Sequence, residues 1–157
     1  MLDTNRRVFL KESLATSAVS AAWAVGLLNP QALLAEWSKN IFEAKDVPEV
    51  LKGLYGTDIH EANEAVEIKA PEIAENGAVV PITIESNLPG VTQIAVFASI
   101  NTFPLAADFR FTDNAVPYIS TRIKMSKTGD VVAVVKAGDK LYSSRKEIKV
   151  TIGGCGG

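Results

Sequence analysis

From Ala62 onward, apolar and polar residues alternate with a period of two, the pattern of strands that bury one face. Glu64–Ala70 carries Val66 and Ile68 on one side, and Ala78–Glu85 does the same with Ile82 and Ile84. Gln93–Ile100 groups Ile94, Val96 and Ala98, and Ala107–Thr112 alternates Phe109 and Phe111 with Asp108 and Arg110. Tyr118–Met125 sets Ile119, Thr121, Ile123 and Met125 against Ser120, Arg122 and Lys124. Val131–Val135 is apolar throughout and predicts a central strand covered on both faces. Leu141–Ile152 closes the series, with Ile148, Val150 and Ile152 alternating with Lys149 and Thr151. Pro81 predicts that its strand lies at a sheet edge, because proline has no N–H to give to a ladder. Turn signals separate the runs: Glu75-Asn76-Gly77, Asn87-Leu88-Pro89-Gly90, Thr112-Asp113-Asn114, Lys127-Thr128-Gly129-Asp130 and Ala137-Gly138-Asp139. About seven strands at this spacing predict an all-β fold over residues 62–152, an immunoglobulin-like antiparallel β-sandwich. The cysteine pair and buried tryptophan of antibody domains are missing, since Trp23 and Trp37 both precede the strands.

Residues 36–61 read differently, as a short helical segment. Glu36–Ala44 places Trp37 and Ile41 on one helical face. A second helix begins at Asp46 as N-cap, with Pro48 in its first turn and Glu49 in the capping-box position, and ends near Gly53 or Gly56.

Residues 1–35 read as an address. Asn5-Arg6-Arg7-Val8-Phe9-Leu10-Lys11 precedes a stretch with no charge between Glu12 and Glu36. It resembles a twin-arginine export signal at Arg6, Arg7, Phe9, Leu10 and Lys11, with Asn5 in place of the more usual Ser or Thr. An amphipathic surface helix would carry charges at regular intervals, and this stretch carries none. Ser13–Leu28 is too short and too rich in Ala and Ser for a membrane anchor, which needs ~20 strongly apolar residues. Pro30 breaks the segment and Ala35 suits the residue before a cut. The signal implies a periplasmic protein exported in the folded state, and in the absence of a cofactor motif it implies export beside a folded partner subunit.

Composition narrows the chemistry. A net charge of -2 and few aromatics exclude a nucleic-acid binder, which needs a basic surface or a stacking platform. One cysteine and one histidine leave no internal disulfide, no Cys-pair zinc site and no multi-histidine metal site. Gly-x-Gly-x-x-Gly, Gly-Lys-Ser/Thr and Cys-x-x-Cys-His motifs are absent as well, so the chain predicts neither a cofactor of its own nor a metal. His60, between Asp58 and Glu61 in the near sequence, reads as a surface or capping residue rather than a catalytic base. Arg122, Lys124 and Lys127 read as a solvated face.

The remaining candidate is the C-terminus, Gly153-Gly154-Cys155-Gly156-Gly157. Four glycines remove every neighbouring Cβ, which predicts a flexible arm over 153–157 with a bare backbone able to enter a narrow channel. Three residues of extended chain give Cys155 a reach of about 10 Å beyond Ile152. No histidine or lysine stands beside the thiol to activate it, so the arm supplies no catalysis of its own. That is the behaviour of a carrier. An intermolecular disulfide through Cys155 is the plainer alternative for an odd cysteine in an exported chain.

The export signal, the small sandwich and the tail at Gly153–Gly157 together resemble the SoxY family, the sulfur carriers of the periplasmic thiosulfate-oxidising Sox system. The resemblance implies that Cys155 holds covalent sulfur intermediates. It further implies a haem c enzyme that conjugates thiosulfate oxidatively to the thiol, a hydrolase that releases sulfate, and a sulfane-oxidising enzyme. A SoxZ-like β-sandwich subunit is the implied heterodimer partner. A sulfur donor ending in Gly-Gly, of the ubiquitin-like thiocarboxylate type, is a rival; it needs ATP and a central helix among the strands, and no such helix is read between Ala78 and Ile152.

Overall fold

A computed structural model describes residues 39–151 apart from Asp113. The export signal expected over 1–35 and the carrier arm expected over 153–157 lie outside the described residues. Helix α1 spans Lys39–Phe42 and helix α2 spans Val47–Tyr55. Asp46 begins α2 as expected: its Oδ1 accepts the Glu49 N–H at 2.7 Å, satisfying one of the helix's free amides. Gly56 ends it in a left-handed conformation (φ 76°) and donates its N–H to the Lys52 carbonyl, which settles the choice between Gly53 and Gly56.

Nine strands follow among the described residues: β1 (Glu61–Ala62), β2 (Val66–Lys69), β3 (Ile73–Ala74), β4 (Val80–Ser86), β5 (Val91–Ala98), β6 (Leu105–Arg110), β7 (Tyr118–Ile123), β8 (Gly129–Ala137) and β9 (Lys140–Val150). They form two sheets, one in the order β1-β9-β8-β5-β6 with β3 also on β9, the other β2-β4-β7. This is the expected immunoglobulin-like sandwich, with two additions. The two-residue strands β1 and β3 carry too little alternation to be read from sequence, and both pair with β9 in parallel.

The main core lies between the sheets. Val66, Ile68, Ile82, Ile84, Ile119 and Ile123 from one sheet meet Ile94, Val96, Val131, Val135 and Ile148 from the other. A second apolar cluster lies on the outer face of the larger sheet, where Val50 and Leu51 of α2 cover Ala95, Phe97 and Val134. β8 therefore buries both faces, Val131, Ala133 and Val135 inward and Val134 beneath the helices, as its unbroken apolar run predicts.

Pro81 corrects one expectation. Its strand β4 is the middle strand of the three-stranded sheet, not an edge. The proline is tolerated because β2 stops short: its last pair with β4 is Lys69↔Thr83, while Pro81 faces only Arg122 of β7. Over Val80–Ile82 β4 is locally an edge, and the missing N–H of Pro81 deprives no neighbour of a ladder bond.

Candidate functional site

Cys155, Gly153, Gly154, Gly156 and Gly157 lie outside the described residues, as do Arg6, Arg7, Phe9, Leu10 and Lys11. What the structure does describe is the root from which the tail departs. The last cross-strand pair between β8 and β9 is Gly129↔Ile148. Beyond it the Thr128 hydroxyl takes the place of a strand: its Oγ1 accepts the Val150 N–H at 2.9 Å and donates to the Val150 carbonyl at 3.4 Å. On the other side of β9, the Lys149 N–H donates to the Glu72 carbonyl at 2.9 Å and the Thr151 N–H to the Ala74 carbonyl at 3.1 Å. Thr151 Oγ1 also donates to the Glu75 carbonyl at 3.4 Å. A terminal strand ordinarily frays over its last residues. Here it is held from both sides to Val150 and from the β3 side to Thr151, four residues before the only cysteine in the chain.

Gly77 closes the same corner. A Cβ on it would lie 2.5 Å from the Met125 carbonyl oxygen and 2.8 Å from Val150 Cγ1, so only glycine fits. The Gly77 carbonyl accepts the Met125 N–H at 2.7 Å, tying the β3–β4 loop to the β7–β8 loop. Sequence reasoning placed Gly77 and Thr128 in turns and gave neither a role. The available signals were weak: a threonine one residue before a strand, whose hydroxyl can mimic a backbone partner, and a glycine in a loop that needs no positive φ.

His60 stands at the opposite end of β9. Its Nδ1 lies 2.9 Å from Ser143 Oγ, on a hollow of about 210 Å³ lined in part by Thr57, Ile59 and Glu61. A serine–histidine pair begins to resemble a hydrolytic site, but the setting is wrong for one. Ser143 sits mid-strand between Val134 of β8 and Ala62 of β1, and its carbonyl accepts the Asn63 N–H. Ladder positions of this kind leave no amides converging on a reacting oxygen. His60 is exposed, as expected of a surface residue, and its contact with Ser143 also links the start of β1 to β9. Asp58 beside it is held below the usual carboxylate range, chiefly by a hydrogen bond from Lys52 at 3.1 Å. The Tyr55 phenol, on the last residue of α2, is pushed up by burial and by the charge of Asp108.

Among the described residues no group of three or more His, Cys, Asp or Glu is placed to hold a metal. No helix among them is long and apolar enough to cross a membrane. Arg122 and Lys124 are exposed at the arm end of β7, and Lys127 is exposed in the loop after it, as a solvated face requires.

The comparisons with known proteins bear on this architecture. A family model described as "Sulfur oxidation protein SoxY" matches residues 51–155, well over half of the chain. This chain belongs to the SoxY family. The solved structure of the sulfur carrier protein SoxY from Chlorobium limicola f thiosulfatophilum is 40% identical to this SoxY-family chain. The match covers 73% of this chain and 100% of that one, with a TM-score of 0.63. The human F-spondin reeler domain is 11% identical over 57% of this chain and 93% of its own, at a TM-score of 0.34, too distant to bear on fold or function. No curated protein matches. The role of this SoxY-family chain is accordingly that of a sulfur carrier in Sox thiosulfate oxidation.

Proposed function

We propose that Cys155 is the covalent attachment point and that Gly153, Gly154, Gly156 and Gly157 make the arm that delivers it to partner enzymes. The observation that carries this reading is the root geometry. β9 is fastened on both sides as far as Val150 and on one side to Thr151, and the only thiol follows four residues later on a glycine-rich tail. The family match also runs to residue 155.

The chemistry follows from a thiol without an activating neighbour. In the loading step, a sulfur–sulfur bond forms between Cys155 Sγ and the outer sulfur of thiosulfate. The thiol proton leaves, and two electrons pass to the haem c enzyme that catalyses the conjugation. Hydrolysis then adds one water, breaks the bond to the sulfonate and releases sulfate with two protons, leaving a persulfide anion on Cys155. The sulfane sulfur is next oxidised or passed on by a further enzyme. In each step the acid, base, metal or redox centre belongs to the partner enzyme, so this chain acts as a loaded substrate and not as a catalyst. The protein works in the periplasm as a heterodimer with a SoxZ-like β-sandwich subunit, exported through the signal at Arg6 and Arg7. Covalently bound sulfur is the only group it carries, and no resident cofactor is needed.

Intact mass spectrometry of the purified protein, before and after reduction, tests the reading. The expected result is a series of additions equal to sulfur atoms or thiosulfate, removed by a thiol reductant and lost in Cys155→Ser. A thiol that is always free, or found only as a disulfide dimer, would overturn it.

A further inference from the structure

The position of the root limits where an enzyme can stand. From Thr151 to Cys155 the chain spans four residues, an extended reach of about 14 Å. A stable protein–protein contact covers about 800 Å² on each partner, a patch wider than that reach. An enzyme that takes Cys155 into a recessed site therefore brings its surface onto the end of the sandwich where β9 finishes.

That end is a ring of three loops: 75–79 before β4, 99–104 after β5, and 124–128 between β7 and β8. Hydrogen bonds join them into one piece. Loop 75–79 is tied to loop 124–128 through Gly77 and Met125, and Asn101 locks loop 99–104 to the same segment. Its Nδ2 donates to the Lys124 carbonyl at 2.7 Å and its Oδ1 accepts the Ser126 N–H at 2.9 Å. Two large apolar side chains on this ring are half exposed, Val79 at 50% and Phe103 at 49%. About half of each is open to solvent, and a partner surface would gain by covering them.

We infer that this ring is the docking surface for the haem c enzyme that loads Cys155, with Val79 and Phe103 as its apolar contacts. The inference rests on the carrier reading above. Because the loops are fastened both to one another and to the arm root, docking on them sets where the four-residue tether begins, and so aims the thiol.

The test is thiosulfate loading by the haem c conjugating enzyme, with the carrier paired to its partner subunit and its concentration varied. Val79→Asp, Phe103→Asp and the milder Phe103→Ser should raise KM for the carrier, the Asp variants by about tenfold, equivalent to ~1.4 kcal/mol. Turnover at saturation should hold, as should the melting temperature and subunit pairing. Val116→Asp, at a residue 78% exposed at the opposite end of the sandwich, should leave KM unchanged. Unchanged KM in the ring variants beside a normally loaded wild type would overturn the docking surface alone, showing that enzymes recognise only the tail. Loss of pairing in Phe103→Ser would also overturn it, by assigning the ring to the subunit interface. A wild type that takes up no thiosulfate would overturn the carrier reading and this proposal with it.

Discussion

The two ends of β9 are built for different purposes. At its start, β9 leaves a tight hairpin from β8 and takes two-residue β1 alongside, the Asn63 N–H donating to the Ser143 carbonyl and His60 Nδ1 lying beside Ser143 Oγ, while Ile59 projects at 78% exposure beside an open hollow. At its finish, backbone and hydroxyl bonds hold the strand from both sides, and Gly77 lets the neighbouring loop close against Val150. Ser143 and Val150 stand about 23 Å apart along the strand. The difference teaches where accuracy matters. The start is set by the hairpin with β8 and the pairing with β1, and no tail departs from it. On the proposed carrier reading, a loose finish would lengthen the tether and blur the position of its thiol.

The comparison can be broken from the arm end first. Gly77→Ala forces a Cβ against the Met125 carbonyl and Val150, an overpacking of about 1–3 kcal/mol. The melting temperature should fall by several degrees, and thiosulfate-dependent turnover should fall more than the remaining folded fraction explains. A variant with wild-type stability would show that the corner yields and holds nothing in place. Thr128→Val keeps shape but removes both hydroxyl bonds to Val150, for a loss of about 1 kcal/mol. Amide exchange at Val150 should quicken while the rest of β9 stays protected, with Thr128→Ser restoring the slow rate. Unaltered exchange at that amide would mean that β3 alone secures the root. His60→Ala should give the smallest change, at most about 1 kcal/mol in stability and none in turnover. A drop in turnover there would erase the distinction between the two ends and place chemistry at the hollow.

What the sequence determined by itself is whatever depends on near neighbours or on covalent order. Alternation marks β2, β4, β7 and β9 because a half-buried strand must repeat every two residues. The apolar run at Val131–Val135 marks a strand covered twice, and Asp46 with Glu49 marks a helix start through a bond only three residues long. The candidate site, one cysteine among glycines after the last strand, was legible too, because its chemistry is written in adjacent residues. The tertiary structure alone decided what those elements lie against. Pro81 could sit in a middle strand only because β2 ends before reaching it, and β3 exists only because β9 is there to pair with. Thr128 and Gly77 gained their roles from Val150, more than twenty and seventy residues further along the chain. A hydroxyl standing in for a strand, or a loop with no space for a Cβ, leaves no periodic trace. Such features arise from contacts between distant segments, and those contacts fix the end of β9 from which the proposed arm departs.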